Sequence, residues 1–283
     1  MIGVAQPSLA TVNEMLAELV QGTSLLHNVD LTELTRSVPA TPRTSGCPFK
    51  ALTSNISKVL KTKTERRRIG EANLVGEANL IVIRSWIVNF VAKPNPKVGR
   101  QGPVCPFLPR ALQENTLSFF TLDAAALNEE ELDDSMMRFA ERFTQTEPCK
   151  GKARLNKSFV IVLENLTDAD AAKVVEGSQS RLKRFFVERG LMLGEFHKNH
   201  QGTGLHSPEF RPLQSPVPLL VIRHMIPSDL PFLLRQADSL NNRVKFVMSY
   251  IVRFGAVLSA PKKTAAFKTF SDLLHCVRSE SKV

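Results

Sequence analysis

The stretch "KSFVIVLENL", residues 157–166, is the strongest constraint on the fold. A short, almost unbroken run of β-branched and aromatic residues has no polar face to turn to water, so both faces of the strand must be covered. Such a strand lies inside a sheet, with helices over it. The flanking segments supply them. "TLSFFTL" (116–122) reads as a strand, and "NEEELDDSMMRFAERFTQ" (128–145) as a helix with acids in its first turn, where the helix dipole favours them. In that helix Met137, Phe139, Ala140 and Phe143 are the expected buried face. "TDADAAKVVEGSQSRLKRFFVERG" (167–190) opens with a threonine cap and ends at Gly190. "LMLGEFH" and "PVPLLVIRHM" are two further strands. "SDLPFLLRQADSLNNRVKFVMSYIVRFG" (228–255) is expected to be one long helix, capped by Ser228, with Pro231 in its first turn. The order β-α-β-α-β-β-α predicts an α+β fold, a mixed sheet with helices packed on it.

Three segments are expected. Residues 1–66 form a flexible or partly helical arm, with an amphipathic helix at Leu9–Gln21 and a Pro/Ser/Thr-rich loop after it. Residues 67–258 form the α+β core, opening with a helix over 71–91 that "KPNPKVGRQGPVCPF" stops. Residues 259–283 form a C-terminal helix and tail.

The chain of 283 residues carries a net charge of +10. Its densest basic stretch, "KTKTERRR" at 61–68, has no aromatic residues between the charges, and the chain has one Trp and one Tyr. That pattern argues against a platform for stacking nucleic-acid bases. The most apolar run, Leu80–Ala92, is broken by Arg84, Ser85 and Asn89, so no membrane span is expected. No secretory leader is evident. Four cysteines with no CxxC pair point to a cytoplasmic protein with reduced thiols.

Four of the six histidines, His197, His200, His206 and His224, fall within residues 196–225. His197 and His200 are three apart, but no carboxylate is expected to complete a zinc or iron triad: Glu195 is read as turned away by strand alternation, and Glu209 lies in a proline-rich loop. No GxSxG, GxGxxG or GxxxxGK[ST] motif is present, so nucleophilic-elbow hydrolysis and phosphate-loop chemistry are not supported. Two readings of His197 stand. It is a hydrogen-bonded histidine at a strand end, or it is a ligand held there by the rigid strand. Cys105, in "GPVCPFLP", is a small buried hydrophobe or a thiolate ligand. Arg100, Arg211 and Arg223 are either solvent-facing charges or a clamp for carboxylates. On this reading the Arg223 head emerges beside His197.

"WIVNFVAKPNPKVGRQGPVCPF", "GLMLGEFHKNHQGTGLHSPEFRPLQSPVPLLVIRHMIPSDLPFL" and "YIVRFGAVL" together resemble a bacterial domain family of unknown function found near secondary-metabolite genes, over about residues 84–258. In that pattern Lys198 stands where a proline is expected, and Asn95 where a histidine is expected. In layout, "CPF" followed by a strand ending in His is also similar to the FPC/CPF-motif (YcgG-like) proteins, which include a haem-dependent N-hydroxylase. The resemblance implies haem b as cofactor, with His197 as metal ligand and Cys105, Arg100, Arg211 and Arg223 around it. It implies an oxygenase of small-molecule biosynthesis, acting on an amino acid or amine, with a redox partner and a homodimer as further partners. The rivals are a non-catalytic binding module and a haem-free enzyme built on His197, His206 and Arg223.

Overall fold

The computed structural model describes residues 74–280. The arm 1–66, the helix at Leu9–Gln21 and the basic stretch 61–68 lie outside the described residues. The element order is α1 (Leu74–Trp86), α2 (Leu108–Gln113), β1 (Leu117–Asp123), α3 (Glu129–Gln145), β2 (Ser158–Glu164), α4 (Asp168–Glu188), β3 (Leu191–Phe196), β4 (Leu219–His224), α5 (Leu240–Phe254) and α6 (Ala260–Glu280). This is the α+β order read from the sequence. Among the described residues no helix is long and apolar enough to cross a membrane.

The chain forms two compact units. The larger, residues 74–183 and 192–224, contains nearly all of the sheet, whose strand order is β1-β2-β4-β3. β1 and β2 are parallel, in register from Leu117 opposite Ser158 to Asp123 opposite Glu164. β4 is antiparallel to β2, with Arg223 opposite Ser158. The apolar run is therefore internal, and Phe159–Leu163 are all buried. Val160 and Val162 pack with Leu219 under Ile83 and Ile87 of α1 and its continuation, while Phe159 on the other face meets Phe143 of α3 and Phe120.

Asn128 caps α3, accepting from the Glu131 backbone N–H while the Glu131 carboxylate accepts from that of Asn128. The buried face of α3 is Leu132, Ser135, Met136, Ala140 and Phe143, so Met136 takes the core position expected of Met137. Thr167 caps α4 through the Asp170 N–H. The helix expected over 71–91 runs as α-helix to Trp86 and then widens to a π-turn, Ile87–Val91, whose end is marked by the Ala92 N–H donating to the Ile87 carbonyl.

The smaller unit holds residues 184–191 and 225–280. Here the single helix expected over 228–255 is divided. Pro227–Leu233 is a 3-10 segment whose start is held by the Ile226 N–H donating to Asp229, and α5 begins afresh with Ser239 accepting from the Asn242 N–H. Both starts satisfy an otherwise open backbone donor, the first through the Asp229 carboxylate and the second through the Ser239 hydroxyl, so two helical segments form in place of one. At Gly190, φ is +68°, and a Cβ would collide with the Arg253 guanidinium, which donates to the Arg189 carbonyl.

Candidate functional site

β3 ends at Phe196, and its alternation sets the chemistry on each face. Phe196 points to the side of Trp86, edge to face at 6.2 Å between ring centroids. Glu195 and His197, two residues apart, share the opposite face, towards α4. There His197 is 1% exposed, and its Nε2 lies 2.8 Å from Glu176 Oε1 of α4. His200, also buried, brings its ring to 5.0 Å from that of His197. Its Nδ1 accepts the Gly202 backbone N–H at 2.9 Å, and its Nε2 stands 3.6 Å from Glu195 Oε1. One donor atom from each of Glu176, His197 and His200 lies within 4.8 Å of the others. The expected exclusion of Glu195 is thus corrected: residues two apart on a strand face the same way, and the 197–200 turn carries His200 back over Glu195.

Glu176 had no place in the sequence reading. Its signal was a polar seam at helical spacing, Glu176, Gln179 and Lys183, beside the apolar stripe of α4. Gln179 donates to the Leu193 carbonyl, and Lys183 is buried.

On the opposite face of the β3 end lies a pocket of about 610 Å³ lined by Trp86, Phe90, Asn95, Lys97, Glu209, Phe210, Arg211 and Gln214. Three segments build it. The π-turn places Phe90 one turn beyond Trp86, stacked at 6.2 Å. The proline loop is pinned by the Val104 N–H donating to Lys93 and the Cys105 N–H donating to Val91, and Asn95 accepts the Lys97 N–H. The histidine-rich loop supplies the rest. The two loops meet at Gly99, in the left-handed region at φ +77°, where a Cβ would strike the His206 carbonyl. Gln214 joins the pocket to the histidine cluster by donating to the His200 carbonyl at 3.2 Å.

The other expected site residues disperse. Arg100 folds back on its own loop, donating to the Gln101 and Val104 carbonyls. Arg211 lines the pocket, its guanidinium held by the Pro208 and Phe210 carbonyls. Cys105 is half-buried, His206 is exposed, and neither joins the cluster. His224 packs its ring against Phe143 at 5.0 Å. Arg223 donates to the His224 carbonyl. The expectation that Arg223 emerges beside His197 is corrected by topology. The Ser215 N–H donates to the His197 carbonyl, and Gly194 lies beside Val221, so β4 runs back along β3 and carries Arg223 to the far end of the sheet.

Residues 80–265 match a family model described as a domain of unknown function (DUF6875). No curated protein and no solved structure matches the chain.

Proposed function

We propose a small-molecule-binding role for this chain, which belongs to the DUF6875 domain family: its pocket takes a carboxylate-bearing molecule with a planar apolar body, of amino-acid size or somewhat larger, as the substrate of a step in small-molecule biosynthesis. The pocket carries the reading. Its volume, about 610 Å³, lies within the range of roughly 300–1,000 Å³ of small-molecule sites. Trp86, Phe90 and Phe210 offer apolar walls, and Lys97 and Arg211 have no carboxylate partner among the described residues. Glu209 adds one acceptor for a ligand amine. The segments that build it are among those whose sequence resembles a domain family found near secondary-metabolite genes.

Haem-dependent oxygenation is the finer reading that the resemblance suggests. The residues around His197 do not fit a haem as they stand. Its Nε2 is engaged by Glu176, its ring packs beside His200, and it is 1% exposed, which leaves no open face for a porphyrin. Neither His197 nor Cys105 lines the pocket.

The test is calorimetric titration with aromatic and large aliphatic amino acids, aryl carboxylates and the matching amines without a carboxylate. Carboxylates should bind and the simple amines should not. Arg211→Ala should weaken binding about tenfold or more, as expected for loss of a charge-assisted hydrogen bond of roughly 1.5–3 kcal/mol. Equal binding of the amines, or an unchanged affinity in Arg211→Ala and Trp86→Ala, would overturn the reading. Titration with haemin should give no His197-dependent absorption band. Such a band would restore the oxygenase.

A further inference from the structure

The geometry points to a binding site for one divalent transition-metal ion, of the zinc or iron(II) class, formed by Glu176, His197 and His200 on the α4 face of the sheet. It is independent of the pocket and stands or falls without it.

Three observations carry it. First, two imidazoles and a carboxylate offer donor atoms that all lie within 4.8 Å of one another. Two histidines and one carboxylate are a ligand set suited to zinc and non-haem iron(II). In a tetrahedral site with bonds of about 2.0–2.1 Å the donor atoms stand about 3.3 Å apart, so closing the site needs movements of about 1.5 Å at most. Glu176 can supply much of that, because its side chain is half-exposed. Second, the rings are nearly sealed from solvent, and each keeps one nitrogen with no hydrogen-bond partner: Nδ1 of His197 and Nε2 of His200. A buried polar atom left unpaired is destabilising, and the Nε2 of His200, which an ion in this cluster would meet, gains a partner by ligation. Third, the site has a supporting shell. Glu195 Oε1 lies 3.6 Å from His200 Nε2, which places a second carboxylate where it can ligate or orient.

The proton inventory is definite. The Gly202 N–H donates to His200 Nδ1, so the hydrogen of neutral His200 sits on Nε2. Ligation through Nε2 moves that hydrogen to Nδ1 and turns the Gly202 amide aside, a shift that the loop, rather than the sheet, must absorb. The His197–Glu176 hydrogen bond opens to admit the ion. Both imidazoles must give up any added proton to ligate, so affinity falls as the solution is made more acidic. The ion would tie α4 to the start of the loop that supplies Glu209–Gln214 to the pocket.

The probes are zinc and cobalt(II) added to chelator-treated protein. One equivalent of zinc should bind by calorimetry, and cobalt(II) should develop a visible ligand-field band that zinc abolishes. Glu176→Gln and His200→Ala should each weaken zinc binding tenfold or more and reduce the cobalt band. His206→Ala, at an exposed position outside the cluster, should leave both unchanged. Glu176→Gln guards against a folding artefact, since it keeps the shape and an acceptor oxygen for His197, and circular dichroism reports its fold. Wild-type protein that takes up no stoichiometric metal, or folded Glu176→Gln protein that binds zinc as tightly as wild type, would overturn the assignment.

Discussion

Glu176 of α4 and His197 at the end of β3, 21 residues apart in sequence, meet at 2.8 Å, while Nδ1 of the same ring is buried with no hydrogen-bond partner among the described residues. Its removal should therefore be felt in stability. In metal-free protein, Glu176→Ala leaves a nearly buried imidazole without a partner on either nitrogen. The expected loss is about 1–3 kcal/mol, seen as a lower midpoint in urea with an unchanged slope. An unchanged midpoint would mean that solvent reaches His197 when Glu176 is gone.

Asp123 and Glu164 end the paired parallel strands β1 and β2 side by side. Burial, and then the Asp123 charge, pushes the Glu164 carboxyl above its ordinary value, against a hydrogen bond from Asn79 that lowers it. The folded state thus holds the proton at higher pH than the unfolded chain. Between the ordinary value, about 4.3, and the raised one, stability falls as pH rises. Glu164→Gln should remove that slope and add about 0.5–1 kcal/mol at neutral pH, the scale of a like-charge pair across strands. Thermal melts from pH 4 to 8 check both.

The sheet was legible because its signals are local. The apolar run at 158–164 could only be an internal strand, and the acids at 129–131 and the Thr167 cap announce their helices within the first turn. What escaped were relations between elements. Nothing local in α4 marks Glu176 as the partner of His197, because the pairing depends on how the helix lies over β3. The misplacement of Arg223 has the same origin: the residues of β4 do not say that it runs back along β3. The pocket was half visible, since both of its loops were singled out. Their meeting at Gly99 and His206 was not, because the contact runs through a backbone carbonyl that carries no sequence signature.

Lys157 stands at the entrance to β2, 1% exposed, with its ammonium donating to the Phe143 and Thr146 carbonyls at 2.6 and 2.5 Å and lying 4.4 Å over the Phe143 ring. It serves as the cationic C-cap of α3. Burial pushes its pKa down. The unfolded chain therefore binds the proton more strongly, and stability rises with pH from the lowered folded value up to the ordinary lysine value, about 10.4. Lys157→Met should flatten that slope. It should also leave two carbonyls unpaired, with a loss of about 2–3 kcal/mol at neutral pH by chemical denaturation. A Met variant as stable as wild type would show that the helix end is hydrated instead.

Gly202 is the residue that lets the histidine-rich loop close on His200. A Cβ there would lie 2.7 Å from His200 Cε1 and 3.0 Å from Nδ1, with Leu213 Cδ1 at 3.3 Å on the other side. The ring is buried and cannot simply swing into water. Gly202→Ala must therefore push the ring or the loop, lengthening the bond from the Gly202 N–H to Nδ1. The backbone at this position is not left-handed, so the loss is steric, about 1–3 kcal/mol as for overpacking elsewhere. Because Gln214 donates to the His200 carbonyl and lines the pocket, the displacement should also weaken binding of a carboxylate ligand there. Histidine ring resonances in nuclear magnetic resonance spectra, read beside the melting temperature, decide the matter. A shifted His200 signal with lower stability is expected. An unmoved signal in a destabilised protein would place the strain on the Leu213 side of the loop instead.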